Sequence, residues 1–203
     1  MPTIETITSL LKNKTVGIAG AGGLGSNCAM ALARTGVGHL IIVDFDLVAA
    51  SNLNRQYYFI DQIGKPKVVA LKENILRANP ETQITIYQAM VCKENIVHLF
   101  SGCDVLVEAF DAAEIKQMLI EQASTLLPNL PVVAGSGMAG WGNTNKLKVE
   151  CFDNVYICGD GTEEASEINP PLGPRVGIVA CMEANTVLEL LLKNITNENN
   201  PKQ

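Results

Sequence analysis

Basic residues are in short supply in this 203-residue sequence. Fifteen lysines and arginines stand against 21 aspartates and glutamates, which gives a formal net charge of −6. A general nucleic-acid binder needs a clustered basic surface to neutralise phosphates. We therefore expect no nucleic-acid partner, and any nucleotide must be bound locally.

Long hydrophobic runs and a basic leader are also missing. No stretch reaches the roughly 20 apolar residues of a membrane-spanning helix. The first residues, MPTIETITSLLKNK, contain no basic segment followed by a long apolar one. These absences predict a cytoplasmic protein without a membrane partner.

Paired cysteines are the third absence. The six cysteines, at positions 28, 92, 103, 151, 158 and 181, form no C-x-x-C pair. Because structural zinc is usually held by closely spaced cysteines, no zinc is expected. Scattered cysteines in apolar surroundings are typical of reduced core thiols.

The composition is otherwise that of a globular protein, with 47% hydrophobic and 18% charged residues. This composition suits a buried parallel sheet or an extensive subunit interface. The length suits one large domain, which we place at residues 1–193. The polar residues 194–203, NITNENNPKQ, are predicted to be disordered.

A glycine loop follows the first predicted strand. Val16–Ala19 is short and apolar, Gly20-Ala-Gly-Gly-Leu-Gly25 comes next, and an alanine-rich helix is predicted over 24–34. In this context, Gly20, Gly22, Gly23 and Gly25 would let the backbone approach a phosphate at the helix start. The alternative is a glycine turn that serves only helix–strand packing.

The stretch from Asp44 to Gln56, DFDLVAASNLNRQ, is dense in polar groups and follows a buried strand, His39–Val43. Asp44 and Asp46 should lie at the carboxyl end of that strand, where open α/β sheets bind ligands. Asp44 falls near the spacing at which dinucleotide folds place a ribose-binding acid. A capping acid and a polar surface turn are the alternative for any single residue.

Two further charged residues occupy the starts of predicted helices. Lys67 follows Pro66 at the start of a helix that runs to about Ala78, where a cation is unfavourable unless an anion such as phosphate is shared. Asp111 follows the fourth predicted strand and precedes a helix that ends near Leu126. There it could cap the helix or face a magnesium ion that carries nucleotide phosphates.

The end of the chain adds a hairpin and a long helix. Residues 146–151 and 155–158 are predicted to pair across a turn at Asp153-Asn154, which would place Cys151 opposite Tyr156 and Val149 opposite Cys158. An apolar helix is predicted over 175–193. The fold class is therefore α/β, a Rossmann-like, doubly wound and mostly parallel sheet with a C-terminal antiparallel hairpin and a final apolar helix.

Four motifs together resemble the ubiquitin-activating-enzyme-like superfamily, and within it most nearly the short ThiF adenylyltransferases. They are G-x-G-G-x-G at 20–25, D-x-D-x-V-x-x-S-N-L-N-R-Q at 44–56, G-K-P-K at 64–67, and Asp111 after the fourth strand. The resemblance implies attack by the C-terminal glycine carboxylate of a small ubiquitin-like sulfur carrier protein on the α-phosphate of ATP, in thiamine biosynthesis. It also implies Mg²⁺ and a homodimer.

The resemblance also implies roles for particular residues. It places the glycine loop under the phosphates, Asp44 on the ribose, and Asp111 on Mg²⁺, with Asp46 among the nucleotide-binding residues. The residues implied to contact the phosphates are Asn52, Arg55, Gln56 and Lys67. Arg55, Lys67 and Asp111 are the implied catalytic residues, because charge and position limit such a reaction.

Some features depart from the family pattern. No arginine precedes Arg34, whereas homodimeric relatives usually carry an N-terminal arginine that reaches the partner's ATP. Paired zinc cysteines are absent, and we interpret Cys158 as a packed structural thiol. Arg175 is one candidate for an arginine supplied to a partner.

Three other functions remain open at this stage. A non-catalytic scaffold and an enzyme that activates a small molecule or a modified tRNA base belong to the same superfamily. An NAD-dependent oxidoreductase is supported only by the glycine loop and Asp44, and gives Arg55 and Lys67 no role.

Overall fold

The computed structural model describes residues 3–162 and 165–198, with the side chains of 194–198 left out. A seven-stranded sheet with the order β3-β2-β1-β4-β5-β7-β6 forms its centre. The strands are β1 (Thr15–Ala19), β2 (His39–Val43), β3 (Gln83–Tyr87), β4 (Val105–Glu108), β5 (Val132–Ser136), β6 (Lys148–Phe152) and β7 (Val155–Gly159). All neighbouring strands are parallel except β6 and β7, so the predicted fold class is confirmed.

Within the described residues, six α-helices accompany the sheet: α1 (Ile4–Leu11), α2 (Gly23–Thr35), α3 (Lys67–Ala78), α4 (Ile96–Phe100), α5 (Ala113–Leu126) and α6 (Gly173–Glu198). Helices α2, α3 and α6 contribute to one buried hydrophobic cluster, whereas α4 and α5 contribute to a second. Along β4, Val105 and Val107 belong to the first cluster and Leu106 to the second. Because side chains alternate along a strand, β4 at the centre of the sheet is buried on both faces.

The hairpin has the predicted register. Cys151 pairs with Tyr156 and Val149 pairs with Cys158 in an antiparallel ladder. Asp153 takes a left-handed conformation, with φ of 54°, in the turn. All six cysteines are free thiols.

The last helix is longer than predicted, since α6 continues from Lys193 to Glu198. No glycine or proline follows Gly177 until Pro201, so nothing in the sequence stops the helix at Lys193. The predicted disordered tail at 194–203 stays a prediction, and its residues 199–203 lie outside the described residues. Within the described part of the chain, no helix combines the length and the apolar character needed to cross a membrane.

Candidate functional site

The site lies where the sheet changes its direction of winding. Strands β1 and β4 are neighbours, but the chain continues from β1 outward to β2 and from β4 outward to β5. The loops after β1 and β4 therefore diverge and leave a crevice at the carboxyl edge of the sheet. Ligands of open α/β sheets bind at this switch point.

The two loops at the switch point approach each other so closely that glycine is required. Gly20 has φ of +101°, and a Cβ built on it would lie 2.7 Å from the carbonyl oxygen of Ala109. A Cβ on Gly23 would lie 2.9 Å from Val176 of α6. Gly22 is the N-cap of α2 and has no side chain to cap the helix, so the first backbone N–H groups of α2 are left to bind an anion.

Asp44 fixes the glycine loop to the end of β2. Its carboxylate accepts a hydrogen bond from the Ala21 N–H at 2.6 Å and another from the Asp46 N–H at 2.7 Å. Asp44 is buried, yet a carboxylate has lone pairs for further donors. The geometry is compatible with the predicted ribose contact, and it also shows a structural role.

The SNLNRQ segment folds over the start of α2 through a short 3₁₀ turn, Ala50–Asn52. The Asn52 side chain accepts the Ala49 N–H at 2.9 Å, and Arg55 Nη1 donates to the Ser51 carbonyl at 3.0 Å. The Arg55 Cγ lies 3.7 Å from the Cβ position of Gly23. Arg55 is thus brought to the glycine loop, and its contact with the phosphates stays a prediction.

Gln56 presents an unsatisfied amide to the same place. Its Oε1 is buried without a hydrogen-bond partner in the described part of the chain, and its Nε2 lies 3.9 Å from the Cβ position of Gly22. The oxygen and nitrogen of an amide are distinguished only by their hydrogen bonds. In the orientation described, the donor Nε2 lies on the side of Gly22, where it can offer an N–H to a phosphate oxygen.

Lys67 already has an anionic partner, which the sequence did not reveal. Its Nζ lies 2.6 Å from Asp46 Oδ2, and its backbone N–H donates to the Asp46 carbonyl at 2.9 Å. The Lys67 side chain is 8% exposed, whereas that of Asp46 is 47% exposed. A carboxylate therefore relieves the conflict between Lys67 and the start of α3, where we expected a phosphate.

Asp111 is exposed on the loop after β4 and makes no hydrogen bond or ion pair with the described residues. The N-cap of α5 is Ala112, so the capping alternative for Asp111 is wrong. No group of three or more histidine, cysteine or acidic side chains in the described ranges could hold a metal ion by itself. A single carboxylate does fit Mg²⁺, which is commonly bound by one or two carboxylates together with substrate phosphates.

Two residues that the sequence analysis missed join the glycine loop to the SNLNRQ segment. The Asn27 side chain donates to the carbonyls of Gly23, at 2.7 Å, and Arg55, at 2.9 Å. Ser26 donates to the Gly22 carbonyl at 2.6 Å and accepts the Tyr57 N–H at 3.0 Å. The sequence signal for these contacts is that Ser26 and Asn27 are two adjacent polar residues near the start of an alanine-rich helix.

The comparison with known families decides the assignment. The sequence matches the ThiF family over residues 4–203. The chain belongs to the ThiF family. The predicted superfamily is confirmed, and the chain is adenylyltransferase-like.

Individual relatives agree with the family assignment. The chain is 32% identical over 199 residues to the adenylyltransferase and sulfurtransferase UBA4 of Eremothecium gossypii, a match that covers 93% of the chain and 44% of the relative. It is 33% identical over 148 residues to tRNA threonylcarbamoyladenosine dehydratase of Bacillus subtilis, covering 72% of the chain and 58% of the relative. The chain thus spans about half the length of these curated relatives.

Solved structures share the fold. The tRNA N6-threonylcarbamoyladenosine dehydratase of E. coli in complex with ATP has a TM-score of 0.81 and 23% identity, with 95% of this chain and 91% of that chain covered. E. coli MccB with ATP has a TM-score of 0.70 and 23% identity, with 92% and 58% covered. At this identity the similarity establishes the fold alone.

Two candidate residues have structural roles in this chain. Arg175 is buried, forms an ion pair with Asp160 and donates to the Gly142 carbonyl, so it does not extend toward a partner subunit. Burial raises the pKa of the Cys158 thiol to about 11; a hydrogen bond with Thr186 opposes this shift, and Glu183 adds to it. A thiol that remains protonated is a weak nucleophile, which agrees with a packed structural role for Cys158.

Proposed function

We propose that this ThiF-family chain adenylylates the C-terminal glycine carboxylate of a small ubiquitin-like sulfur carrier protein, in thiamine biosynthesis. A carboxylate oxygen attacks the α-phosphorus of ATP, a new P–O bond forms, and the bond to the β-phosphate breaks. The products are an acyl adenylate and pyrophosphate. The carboxylate is already ionised, so the step needs no general base.

One observation carries this proposal: Arg55 and Lys67 are both held at the carboxyl edge that contains the glycine loop. Arg55 lies against Gly23, and Lys67 sits at the start of α3 beside Asp46. Two cations at a phosphate-binding loop would offset the charge of a leaving pyrophosphate. Hydride transfer to a nicotinamide has no leaving pyrophosphate and needs neither cation, which disfavours the oxidoreductase alternative.

The other residues would bind and orient the nucleotide. Gly20, Gly22, Gly23 and Gly25 would lie under the phosphates, and Asp44 would accept the ribose hydroxyls. Asn52 and Gln56 would complete the contacts to the phosphates. Mg²⁺ bound at Asp111 would neutralise part of the phosphate charge.

Activation of a modified tRNA base is the second candidate. The similarity to the Bacillus subtilis tRNA threonylcarbamoyladenosine dehydratase favours it. The net charge of −6 weighs against it, because tRNA binding requires phosphate neutralisation. A homodimer also remains a proposal, and sedimentation velocity would test it.

The decisive experiment offers both substrate classes to the protein. The protein is incubated with ATP and Mg²⁺ together with candidate carriers or tRNA, and the carrier is analysed by mass for an adenylated C-terminus. Carrier-dependent exchange of pyrophosphate into ATP should be lost in Lys67→Ala and Asp111→Ala. Lys65→Ala is the matched control, since Lys65 is half-exposed and paired with Glu73 at 3.0 Å. Retained exchange in both site variants, or adenylylation of tRNA alone, would refute the proposal.

A further inference from the structure

A buried ion pair lies directly behind the loop that carries Asp111. Glu108, the last residue of β4, is fully buried, and Lys116 lies near the start of α5. The Lys116 ammonium pairs with Glu108 Oε2 and also donates to the Gly135 carbonyl in β5 at 3.1 Å. This one side chain therefore connects the end of β4, the start of α5 and the end of β5.

The second oxygen of Glu108 holds the loop backbone. Glu108 Oε1 accepts the Phe110 N–H at 2.7 Å. Ala109 is fixed in turn, because its N–H donates to the Ala19 carbonyl at 2.8 Å. Asp111 follows immediately and has no hydrogen bond or ion pair of its own among the described residues. Its position is therefore determined by its neighbours, through Glu108 on one side and Lys116 on the other.

Stability alone does not explain why such a pair is buried here. Burial raises the pKa of the Glu108 carboxyl, and Lys116 opposes that shift. A buried ion pair is often no more stabilising than a well-packed apolar pair of similar volume. An apolar pair, however, could neither accept the Phe110 N–H nor reach the Gly135 carbonyl. The polar atoms serve the geometry of this loop.

We propose that Glu108 and Lys116 are positioning residues that hold Asp111 toward the nucleotide phosphates. The inference rests on the proposed function, because that reaction is what requires Asp111. Neither residue touches substrate in this scheme, and both act through the loop at residues 109–112.

The test compares Lys116→Met and Lys116→Arg with the wild type. Lys148→Met is the matched control, because Lys148 forms an exposed pair with Glu150 at 2.8 Å on β6. Three readouts are measured: hydrogen exchange of the Phe110 amide, ATP affinity with Mg²⁺ and with EDTA, and pyrophosphate exchange.

In Lys116→Met, we expect the Phe110 amide to exchange about tenfold faster or more. We expect the Mg²⁺-dependent gain in ATP affinity to be lost, while affinity in EDTA is unchanged. A misplaced catalytic group can lower kcat on the order of 100-fold. Lys116→Arg should retain most of the Mg²⁺-dependent gain, and Lys148→Met should match the wild type in every readout.

A second variant separates position from stability. Glu108→Leu/Lys116→Met removes both charges and should fold, but it offers no acceptor to the Phe110 N–H. We expect it to lose the Mg²⁺-dependent gain as Lys116→Met does. If this variant folds and keeps that gain together with the wild-type exchange rate of pyrophosphate, the pair is merely structural and the inference is wrong.

Failure of the proposed function would look different. If wild-type protein binds no ATP, or binds it without a gain from Mg²⁺, the assignment of Asp111 to a nucleotide-bound metal fails. In that case the hydrogen-exchange rate of the Phe110 amide alone tests whether the Glu108–Lys116 pair holds the loop. Faster exchange in Lys116→Met supports that hold, and unchanged exchange overturns it.

Discussion

Replacing Glu183 by methionine should stabilise the protein, and by an amount that grows with pH. Glu183 lies in α6, is fully buried, and neither carboxylate oxygen has a hydrogen-bond partner among the described residues. Burial raises the pKa of the Glu183 carboxyl well above its ordinary value; Lys116 opposes the shift, and Glu108 adds to it. Between its ordinary pKa and this raised pKa, the folded protein keeps the carboxyl protonated where the unfolded chain ionises it.

The magnitude follows from proton linkage. Between the ordinary glutamate pKa of about 4.3 and the raised pKa of folded Glu183, the folded state binds one more proton than the unfolded state. The free energy of unfolding consequently falls by about 1.4 kcal/mol for each pH unit in this window. Below the window the contribution of Glu183 is fully present, and it is lost as pH rises through the raised pKa.

Glu183→Met removes this slope and also removes an unsatisfied polar group, which by itself is worth about 1–3 kcal/mol. Methionine has a similar length and adapts to irregular core spaces. The difference in free energy of unfolding between variant and wild type should therefore widen by up to about 1.4 kcal/mol per pH unit as pH rises from the ordinary glutamate pKa toward the raised pKa of Glu183.

Denaturant unfolding at a series of pH values measures this difference. Glu189→Met is the control, because Glu189 lies on the same helix but is exposed. Its curve should run parallel to that of the wild type. Parallel curves for Glu183→Met as well would mean that Glu183 is ionised in the folded protein, and the argument from burial would fail.

Two further predictions concern the nucleotide site. Asp46→Asn should tighten ATP binding up to about fivefold by calorimetry, because the half-exposed Asp46 carboxylate competes with phosphate for Lys67; weaker binding would show that Asp46 itself assists the nucleotide. Gly25→Ala should lower the free energy of unfolding by about 1–3 kcal/mol and weaken ATP binding, because its Cβ would collide with the Gly20 carbonyl. Gly177→Ala, a helical glycine with open space around it, should be neutral or stabilising in the same denaturation assay; equal losses at both glycines would refute the steric argument.

Much of the fold is predictable from local patterns. The short apolar runs correctly predict the strands β1, β2 and β4. The two-residue turn at Asp153 correctly predicts which residues of the hairpin pair, because turn length determines the register. The meeting of the glycine loop with Asp44 and Asp46 was also predictable, since residues that follow parallel strands meet at one edge of the sheet.

The pairings within the site were not predictable in the same way. Lys67 and Asp46 are 21 residues apart, and each was assigned to the nucleotide separately. The sequence contains no signal that they bind each other, because their contact depends on the bridge between Leu47 and Pro66. The ion pair of Glu108 could not be predicted either. In the sequence Glu108 is simply the last residue of a strand, and its partner Lys116 comes only after an intervening loop.

The hydrogen bonds of Arg55 and Lys67 suggest how the site would respond to a triphosphate. Arg55 bonds only through Nη1 within the described chain, to Ser51 and Asn54, so its other guanidinium donors are available to a phosphate without breaking its hold on the loop. Lys67, by contrast, must either bind the phosphate and Asp46 together or give up its ion pair with Asp46. If the proposed function is correct, Arg55 is preorganised for the phosphates, and only Lys67 has to exchange an existing ion pair when ATP binds.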